Sequence, residues 1–251
     1  MHHLLLCISC SVKCRLCLRE APLCKSHIIP EFCFKPFYDK SHRFIEVTDV
    51  RKGKVRRGQK GYWERLLCKD CEALISRFER HSRRLFADPL PPLASNTRTV
   101  RQHLRLTYHP LKLFFLSILW RSSVSTDSFF KHVSLGPHEE KIRLMLLNED
   151  PGPPNVYSPM IFALHFSGQP LPDFMIEPMP TRYEARKCYW FVLAGFVVLI
   201  FVASHDAPLK FLRHVLSPNR PIETYDKELI SFGFLRDVWN KSAETTKDVV
   251  I

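Results

Sequence analysis

Apolar residues recur at three- and four-residue spacing between positions 69 and 86, which is the period of an α-helix. Leu74, Ile75, Phe78 and Leu85 fall on one face of such a helix. The Pro-Leu-Pro-Pro sequence at 89–92 cannot continue it, because proline lacks a backbone N–H and clashes with the preceding turn. We therefore predict an amphipathic helix over residues 69–86.

Upstream of this helix the pattern is typical of strands and turns. Residues 43–48 (RFIEVT) alternate between polar and apolar positions, as a half-buried strand does. Residues 51–54 (RKGK) are typical of a turn and lead into residues 55–57, so we predict a β-hairpin here. Residues 28–34 are apolar, and we expect them to be extended because the residue before Pro30 disfavours helix.

The second half of the chain combines helical patterns with one long stretch that lacks them. Residues 111–120 (LKLFFLSILW) predict a largely buried helix opened by the proline before it, and residues 139–147 predict an amphipathic one. Two further helices are expected at 209–216 and 227–239. Residues 151–180 contain eight prolines, which predicts a long connection without regular structure.

An uncharged run of seventeen residues at 188–204 (CYWFVLAGFVVLIFVAS) has two interpretations. Its length lies at the lower limit for a membrane-spanning helix. It is also dense in the β-branched and aromatic residues that favour strands, and Ala194-Gly195 divides it where a tight turn would. We favour a buried β-hairpin.

Nine cysteines are present, and six of them form three Cys-x-x-Cys pairs. In two of these pairs, Cys14/Cys17 and Cys68/Cys71, the spacing lets both sulfurs of a pair face one ion. Four thiolates from two such pairs can close a tetrahedral zinc site. The first third of the chain is therefore predicted to be a small module stabilised by zinc.

The remaining cysteines carry less information. Cys7 and Cys10 could replace one of the two pairs, bind a second metal or be inert, and we favour the inert alternative. Cys24, Cys33 and Cys188 are treated as small apolar residues, although Cys24 is near enough in sequence to compete for zinc. An odd number of cysteines, and first residues that do not resemble a signal peptide, predict the cytoplasm.

Positive charge is concentrated in the first third. The chain carries a formal net charge of +12, and residues 1–90 hold 19 basic against 10 acidic side chains. Polyanions are therefore the expected partners of this part. The predicted hairpin region contributes six basic side chains that alternation along its strands could aim at a phosphate backbone, with a solvated loop as the alternative: Arg51, Lys52, Lys54, Arg56, Arg57 and Lys60.

These features divide the chain into four parts. Residues 1–13 form an N-terminal extension, residues 14–88 the zinc module, residues 89–107 a linker and residues 108–251 a C-terminal domain of unknown role. The predicted fold class is α+β: a knuckle, a β-hairpin and a helix in the zinc module, followed by a mixed helix and strand domain. The second half contains no internal repeat, phosphate-binding glycine loop or nucleophile elbow.

The order of these elements resembles that of the HNH endonucleases, which have a ββα-metal fold and a four-cysteine structural zinc. The resemblance covers about residues 14–86 and rests on Cys14-x-x-Cys17, His27-Ile28-Ile29-Pro30 and Leu67-Cys68-Lys69-Asp70-Cys71. In this family the histidine before Ile-x-Pro is the general base that activates water for attack on a phosphodiester. The resemblance implies that His27 is the base, while a divalent cation neutralises charge on the phosphate.

Two positions depart from the family's pattern. The residue before the base is usually Asp or His, a metal ligand, whereas here it is Ser26. The residue after the second knuckle is usually Asn or His, whereas here it is Glu72. Glu72 could bind Mg²⁺ or Mn²⁺ through carboxylate oxygen, with His27 nearby and a further group such as Glu79 or His81. A solvated surface position is the alternative for Glu79 and His81.

The resemblance predicts a metal-dependent endonuclease that hydrolyses DNA phosphodiester bonds, as restriction or defence effectors of bacteria do. Structural zinc and catalytic Mg²⁺ or Mn²⁺ are the expected cofactors. A zinc module that binds nucleic acid without cleaving it is the alternative, because it would explain Ser26. DNA is the expected partner, with RNA as a second candidate. A protein regulator would bind the C-terminal domain. No membrane partner is expected unless 188–204 spans a bilayer.

Overall fold

The computed structural model describes residues 12–38, 40, 44–49, 54–58, 61–93, 100–172, 175–183, 185–203 and 208–236, with the backbone alone at 37, 44–49 and 54–58. Helices and sheets are both present, and four cysteines lie together near the N-terminus. The fold therefore combines α and β structure. In the described residues, every strand pair except one is antiparallel.

The segment up to residue 86 is built from three strand pairs and one helix. Its elements are β1 (Val12–Lys13), β2 (Glu20–Ala21), β3 (Leu23–His27), β4 (Phe44–Asp49), β5 (Lys54–Gly58), β6 (Trp63–Cys68) and α1 (Lys69–Ser82). The pairs β1–β2, β3–β6 and β4–β5 are all antiparallel. The hairpin predicted around residues 43–57 is confirmed as β4–β5, and the predicted helix is confirmed as α1 with a 3₁₀ turn at Arg83–Phe86.

Residues 28–34 are not extended, contrary to the prediction. Two short 3₁₀ helices, Glu31–Cys33 and Lys35–Phe37, follow Pro30. A proline restricts the residue before it, but its own fixed φ suits the start of a helical turn. Pro30 restricts the backbone of Ile29 before it, whereas residues 31–37 follow it and can form helical turns.

Besides short 3₁₀ turns and the helical residues 233–236, ten strands and helices lie in the described residues of the second half. These are β7 (Val100–Gln102), α2 (Tyr108–Val124), α3 (His138–Leu147), β8 (Pro159–Phe166), β9 (Gln169–Pro170), β10 (Ile176–Tyr183), β11 (Arg186–Leu193), β12 (Phe196–Phe201), α4 (Leu209–Leu212) and β13 (Glu223–Glu228). The strands form a seven-stranded sheet in the order β10-β11-β12-β8-β13-β7, with β9 paired to β8. The pair β8–β13 is parallel and the other pairs are antiparallel.

Three predictions for the second half are confirmed. Helices α2 and α3 cover the predicted segments 111–120 and 139–147. Strands β11 and β12 form the predicted hairpin, with Ala194 and Gly195 both at positive φ in the two-residue turn between them. In the described part of the chain, no helix is long and apolar enough to cross a membrane.

Two other predictions are wrong, and a third is correct only in part. Residues 151–180 contain β8, β9 and part of β10 rather than an irregular connection, because prolines are tolerated at the start of β8 and on β10, an edge strand of the sheet. The helix expected at 209–216 is the four-residue α4. The helix expected over 227–239 is correct only in part. Its first residues form the end of β13 and a 3₁₀ turn at Leu229–Ser231, because pairing with β8 overrides local propensity. Residues 233–236 are helical, and residues 237–239 lie outside the described part.

The hydrophobic core continues from the cysteine-bearing segment, by which we mean the described residues up to 86, into the seven-stranded sheet. Helix α2 is buried on all sides from residue 111 to 122, as expected for a helix that is apolar around its whole circumference. Alternate residues of the central strands, such as Ile161, Tyr189 and Val198, belong to the same buried cluster as α2 and as Ile75 of α1. The opposite sheet face carries two smaller clusters.

The segment predicted as a linker, residues 89–107, contains β7, which pairs with β13 at one edge of the sheet. Arg101 of β7 forms a bidentate ion pair with Asp226 of β13, at 2.8 and 2.6 Å. This strand joins the linker segment to the sheet. The domain boundary at the proline cluster stays a prediction.

Candidate functional site

The four cysteines of the two predicted pairs lie together. Their sulfur atoms are all within 4.8 Å of one another, and Cys17 Sγ lies 3.8 Å from Cys68 Sγ. Four sulfurs bound to one tetrahedral ion at about 2.3 Å are about 3.8 Å apart, so the cluster has the dimensions of a metal site. Among the residues that the structure describes, it is the only group of three or more metal-binding side chains at such distances.

The first cysteine pair lies in a tight loop between β1 and β2. The backbone N–H of Leu18 donates to the Cys14 carbonyl at 2.9 Å, and Leu18 adopts a φ of 61°, which turns the chain back toward β2. The N–H of Arg15 donates to the Leu66 carbonyl at 2.9 Å and so attaches the loop to β6. The loop is therefore fixed against the strand that brings in the second pair.

The second cysteine pair lies where a strand becomes a helix. Cys68 is the last residue of β6 and caps the N-terminus of α1, and Cys71 lies in the first helical turn. The N–H of Cys68 donates to Cys14 Sγ at 3.3 Å, a contact that stabilises negative charge on sulfur. Cys14, Cys68 and Cys71 are buried, and Cys17 is half-buried.

Three of these thiols, Cys14, Cys17 and Cys71, have shifted pKa values. Burial opposes ionisation of Cys17, but hydrogen bonds from the side chain and backbone of Arg19, and from neighbouring thiols, lower its pKa to about 6. Burial raises the pKa of Cys14 and of Cys71. A bound metal ion would favour the thiolate form of each cysteine that coordinates it, because a coordinating thiol is deprotonated.

Helix α3 of the second half supports the cysteine loop. Arg143 donates through Nη1 to the Leu16 carbonyl, and its Nε and Nη2 donate to the Glu140 carboxylate at 2.7 Å each. Leu16 itself is fully buried. The loop between the first two cysteines is thus held by a side chain from more than a hundred residues along the chain.

His27 lies at the other end of the same strand pair. It ends β3 opposite Trp63 of β6, and its side chain is 36% exposed. Its Nε2 lies 3.7 Å from Glu31 Oε2, and Glu31 accepts a hydrogen bond from the Tyr38 hydroxyl at 2.6 Å. Burial lowers the pKa of His27, helped by Lys25 and Arg121 and opposed by Glu31 and Glu79. The imidazole is therefore neutral at neutral pH and able to accept a proton.

Arg121 of α2 lies behind His27. Its side chain is 1% exposed, its Nη1 donates to the His27 carbonyl, and its Nη2 lies 2.9 Å from Glu79 Oε1 in an ion pair. Further hydrogen bonds join Arg121 to the carbonyl and hydroxyl of Ser117 at 3.2 Å. This buried guanidinium fixes the backbone on which His27 is placed.

Ser26 lies on the buried side of β3, next to Glu72 in the first turn of α1. Ser26 is fully buried, its hydroxyl oxygen accepts from the Leu67 N–H at 3.2 Å, and its side chain is hydrogen-bonded to Glu72. Burial raises the pKa of Glu72, with Glu79 adding to the effect, whereas Arg121 and Ser26 oppose it. Glu79 lies near enough to both His27 and Glu72 for its charge to affect their pKa values. A shared site of Glu72 and His27 stays a prediction.

His81 is directed elsewhere. Its Nε2 accepts from the backbone N–H of Thr107 at 3.0 Å, and its Nδ1 lies 3.3 Å from Arg84 Nη1. Both ring nitrogens are therefore engaged, one by the residue before α2 and the other by the 3₁₀ turn after α1. The suggestion that His81 could complete a metal site with Glu72 has no geometric support, and neither His81 nor Glu79 is an ordinary solvated residue.

The other predicted residues are placed as follows. Cys33 and Cys188 are buried and Cys24 is half-buried, and none of these three belongs to the cysteine cluster. Lys54, Arg56 and Arg57 lie on β5, whose side chains are outside the described part. Cys7, Cys10, Arg51, Lys52 and Lys60 lie outside the described residues.

The sequence analysis missed Arg121, Arg143, Glu31 and Tyr38. One signal was available for Arg121, which is a charged residue that directly follows the apolar run LKLFFLSILW on a helix predicted to be buried. A charge in such a position is rarely buried unless it is paired. The partners themselves could not be identified, because they lie far away in sequence.

Comparison with known proteins gives no match: no family model, curated protein or solved structure matches the chain. The resemblance to the HNH endonucleases remains an expectation from the sequence. A functional proposal therefore depends on the geometry of the site and the charge of the surrounding segment.

Proposed function

We propose that the segment up to residue 86 is a zinc-stabilised ββα module and that it catalyses metal-dependent hydrolysis of DNA phosphodiester bonds. The observation that carries this proposal is the arrangement of one strand pair. Strands β3 and β6 pair with Leu23 opposite Cys68 at one end and His27 opposite Trp63 at the other, and β6 continues directly into α1. The pair thus joins a rigid metal centre to a half-exposed imidazole.

Zinc is the ion that best suits the cysteine cluster. Four thiolate ligands in two Cys-x-x-Cys pairs favour tetrahedral Zn²⁺ over the hard ions Mg²⁺ and Ca²⁺. The 3.8 Å separation of Cys17 and Cys68 sulfurs fits that geometry. The role of this ion is structural, because all four positions around it would be taken by protein sulfur.

His27 is the general base in this proposal. Its lowered pKa keeps the imidazole neutral, so that it can take a proton from a water molecule attacking phosphorus. Glu31, 3.7 Å from Nε2, would stabilise the imidazolium that forms. Arg121 acts as a positioning residue, because it holds the His27 carbonyl.

A catalytic Mg²⁺ or Mn²⁺ would be held by Glu72. When bound, such an ion neutralises charge that develops on the phosphate. Mg²⁺ commonly uses one or two carboxylates, with substrate phosphate and water as the remaining ligands, so a single protein carboxylate is sufficient to anchor it. Burial raises the pKa of Glu72, and a bound cation would stabilise its carboxylate form.

One observation favours a second function, a module that binds nucleic acid without cutting it. Within the described residues, no group of three or more metal-binding side chains other than the four cysteines lies at metal-binding distances. Ser26, in the position where the family carries a ligand, is buried and hydrogen-bonded to Glu72. The net charge of +12 would support binding in either case.

Plasmid nicking tests the proposal. The purified full chain, with its zinc content measured, is incubated with supercoiled plasmid and Mg²⁺ or Mn²⁺, and wild type is compared with His27→Ala, Glu72→Ala and the control His132→Ala. His132 is an exposed histidine that has no role in the proposed reaction. We expect nicking to fall at least about 100-fold in His27→Ala, as for loss of a general base, and to be unchanged in His132→Ala.

Two other outcomes would redirect the interpretation. If wild type and all variants bind plasmid equally and none cuts it, the non-cleaving module is the function. If wild type binds no DNA and no RNA, both proposals are wrong. A protein regulator bound through residues 108–251 and a cytoplasmic location stay predictions.

A further inference from the structure

One face of the β3–β6 ribbon carries, beside His27, three side chains that the proposed reaction does not use. In an antiparallel pair, directly opposed residues share a face, and so do residues two apart on one strand. Lys25 is opposite Arg65 and His27 is opposite Trp63. These four residues form what we call the ribbon face.

The ribbon face points to solvent. Lys25, Trp63 and Arg65 are exposed and His27 is half-buried, whereas Ser26 and Leu66, which alternate with them, are buried. A two-stranded ribbon that packs on a helix buries one of its faces and leaves the other open to solvent.

Trp63 is unusual on such a face. It is 43% exposed, while Trp120 and Trp190 are 1% and 4% exposed. A half-exposed indole among basic side chains offers a flat aromatic surface to a ligand. The Lys25 ammonium lies over the Trp63 ring, 4.4 Å from its centroid, so a base that stacks on this face would displace the ammonium toward the adjoining phosphate.

We propose that the ribbon face binds an unpaired nucleotide, with its base stacked on Trp63 and its phosphates held by Lys25 and Arg65. A nucleotide joins a flat base to a phosphate, and the ribbon face offers an indole with an ammonium 4.4 Å from its ring centroid. The Arg65 guanidinium is held on this face by a 3.0 Å hydrogen bond to the Leu23 carbonyl. Aromatic stacking and cationic contacts are the two elements of single-strand recognition.

This arrangement selects a substrate class. In a continuous duplex both faces of every internal base are covered by neighbouring bases, so Trp63 could stack only on a base that is unpaired or terminal. His27 is adjacent to Trp63 across the strand pair, which places the phosphodiester beside the stacked base at the imidazole. The substrate is therefore single-stranded nucleic acid or a single-stranded segment. This inference depends on the proposed function, since it assumes a nucleic-acid ligand.

Fluorescence anisotropy with a labelled 20-nucleotide strand and with the same strand in a duplex tests the inference. The full chain with zinc bound is titrated in the absence of Mg²⁺ and Mn²⁺, so that cleavage does not interfere. Wild type is compared with Trp63→Ala, Trp63→Phe and the control Tyr183→Ala. Tyr183 is a matched control because it is 41% exposed and has the Lys210 ammonium 5.0 Å from its ring centroid.

We expect wild type to bind the single strand more tightly than the duplex. Trp63→Ala should weaken single-strand binding by roughly 5- to 150-fold, the range for loss of one base stack, and should remove the preference over duplex. Trp63→Phe should retain most of the affinity, because it keeps an aromatic face. Tyr183→Ala should bind as wild type does.

Equal binding of single strand and duplex, or equal affinity of Trp63→Ala and Tyr183→Ala, would overturn the inference, while His27-dependent nicking would leave the proposed function standing. Absence of binding to either form would overturn both. If Trp63→Ala fails to fold, quenching of tryptophan fluorescence by acrylamide is measured instead. The difference between wild type and Trp63→Phe gives the fluorescence of Trp63. We expect bound single strand to shield this fluorescence from acrylamide, and an unshielded Trp63 would count against the inference.

Discussion

Arg121 and Arg143 each reach from a helix of the second half to a backbone carbonyl of the cysteine-bearing segment. Glu79 is the ion-pair partner of Arg121, whose side chain is 1% exposed. Removing one partner of a buried pair leaves an uncompensated charge, which costs far more than an exposed pair contributes. Glu79 therefore has a structural role that its position on an amphipathic helix does not suggest.

Lys112 is a second buried cation on α2, and its hydrogen-bond partners are uncharged. Its Nζ donates to the Tyr108 hydroxyl at 3.0 Å and to the Pro153 carbonyl at 2.9 Å. Burial lowers the pKa of Lys112 to about 7, and the charge of Asp150 only partly opposes this. In the unfolded chain the pKa returns to about 10.4, so the unfolded state binds more protons between these two values.

The free energy of unfolding should therefore rise with pH from about 7 toward 10. We predict that between pH 7 and 9.5 wild type gains roughly 2–3 kcal/mol relative to Lys112→Met, because only wild type buries an amine that must lose its proton. Urea unfolding at several pH values measures this. Lys141→Met, which removes an exposed lysine of α3, is the control and should keep the wild-type slope. Parallel curves for wild type and Lys112→Met would contradict the prediction.

At the scale of elements, the turn between β11 and β12 depends on a glycine for two reasons. Gly195 has a φ of +80°, in the left-handed region, and a Cβ added there would lie 2.4 Å from the Leu171 carbonyl oxygen. Both the backbone conformation and the close approach of another backbone segment exclude a side chain. Neither constraint can be relieved by rotating a side chain.

Gly195→Ala should therefore destabilise the fold much more than an alanine at another left-handed glycine. Gly168 is the matched control, because its φ is +76° and nothing lies within 4 Å of an added Cβ. We expect Gly168→Ala to cost roughly 1–2 kcal/mol from the backbone conformation alone and Gly195→Ala to cost clearly more. Chemical denaturation of both variants measures the difference, and similar losses would show that Leu171 moves aside.

The elements that the sequence analysis predicted correctly have a strong local signal. Helices α1 and α3 follow from their hydrophobic period, and the β11–β12 hairpin follows from its strand-forming residues around Ala194-Gly195. The elements predicted wrongly depend on partners. Strand β13 exists because β8 and β7 flank it, and prolines are tolerated on β10 because it is an edge strand. Neither condition is visible in a local window of sequence.

The candidate site divides in the same way. The two Cys-x-x-Cys pairs are close in sequence within each pair, so their spacing was enough to predict a cluster of four thiols. Of the charged groups around His27, only Glu79 on α1 was named from the sequence. Arg121 comes from α2, and its contact with His27 spans 94 residues. A contact of that range depends on how whole helices pack.

For the molecule as a whole, the cysteine cluster should contribute to global stability. Its ligands come from segments separated by more than fifty residues, and Cys14, Cys68 and Cys71 belong to the same buried core as α2 and the sheet. Because metal binding couples directly to folding, removal of the ion should lower the stability of the entire described fold by several kcal/mol.

We predict about one zinc ion per chain for wild type, essentially none for Cys71→Ser, and a lower Tm in a single unfolding transition for both chelated wild type and this variant. Cys24→Ser is the control, because Cys24 is half-buried and outside the cluster. Metal analysis and thermal unfolding followed by circular dichroism provide the measurements. A Cys71→Ser protein with the wild-type Tm would show that the cluster is not a structural metal site.

The shared core also affects how this protein can be divided for study. A fragment ending at Phe86 would lose the Arg121 partner of Glu79 and the Arg143 contact to Leu16. It would also expose the apolar side of α1, whose Ile75 and Phe78 belong to the core formed with α2. An excised module would therefore not reproduce the native structure. Loss of activity in such a fragment would be explained by the missing contacts and would not test the chemistry of His27.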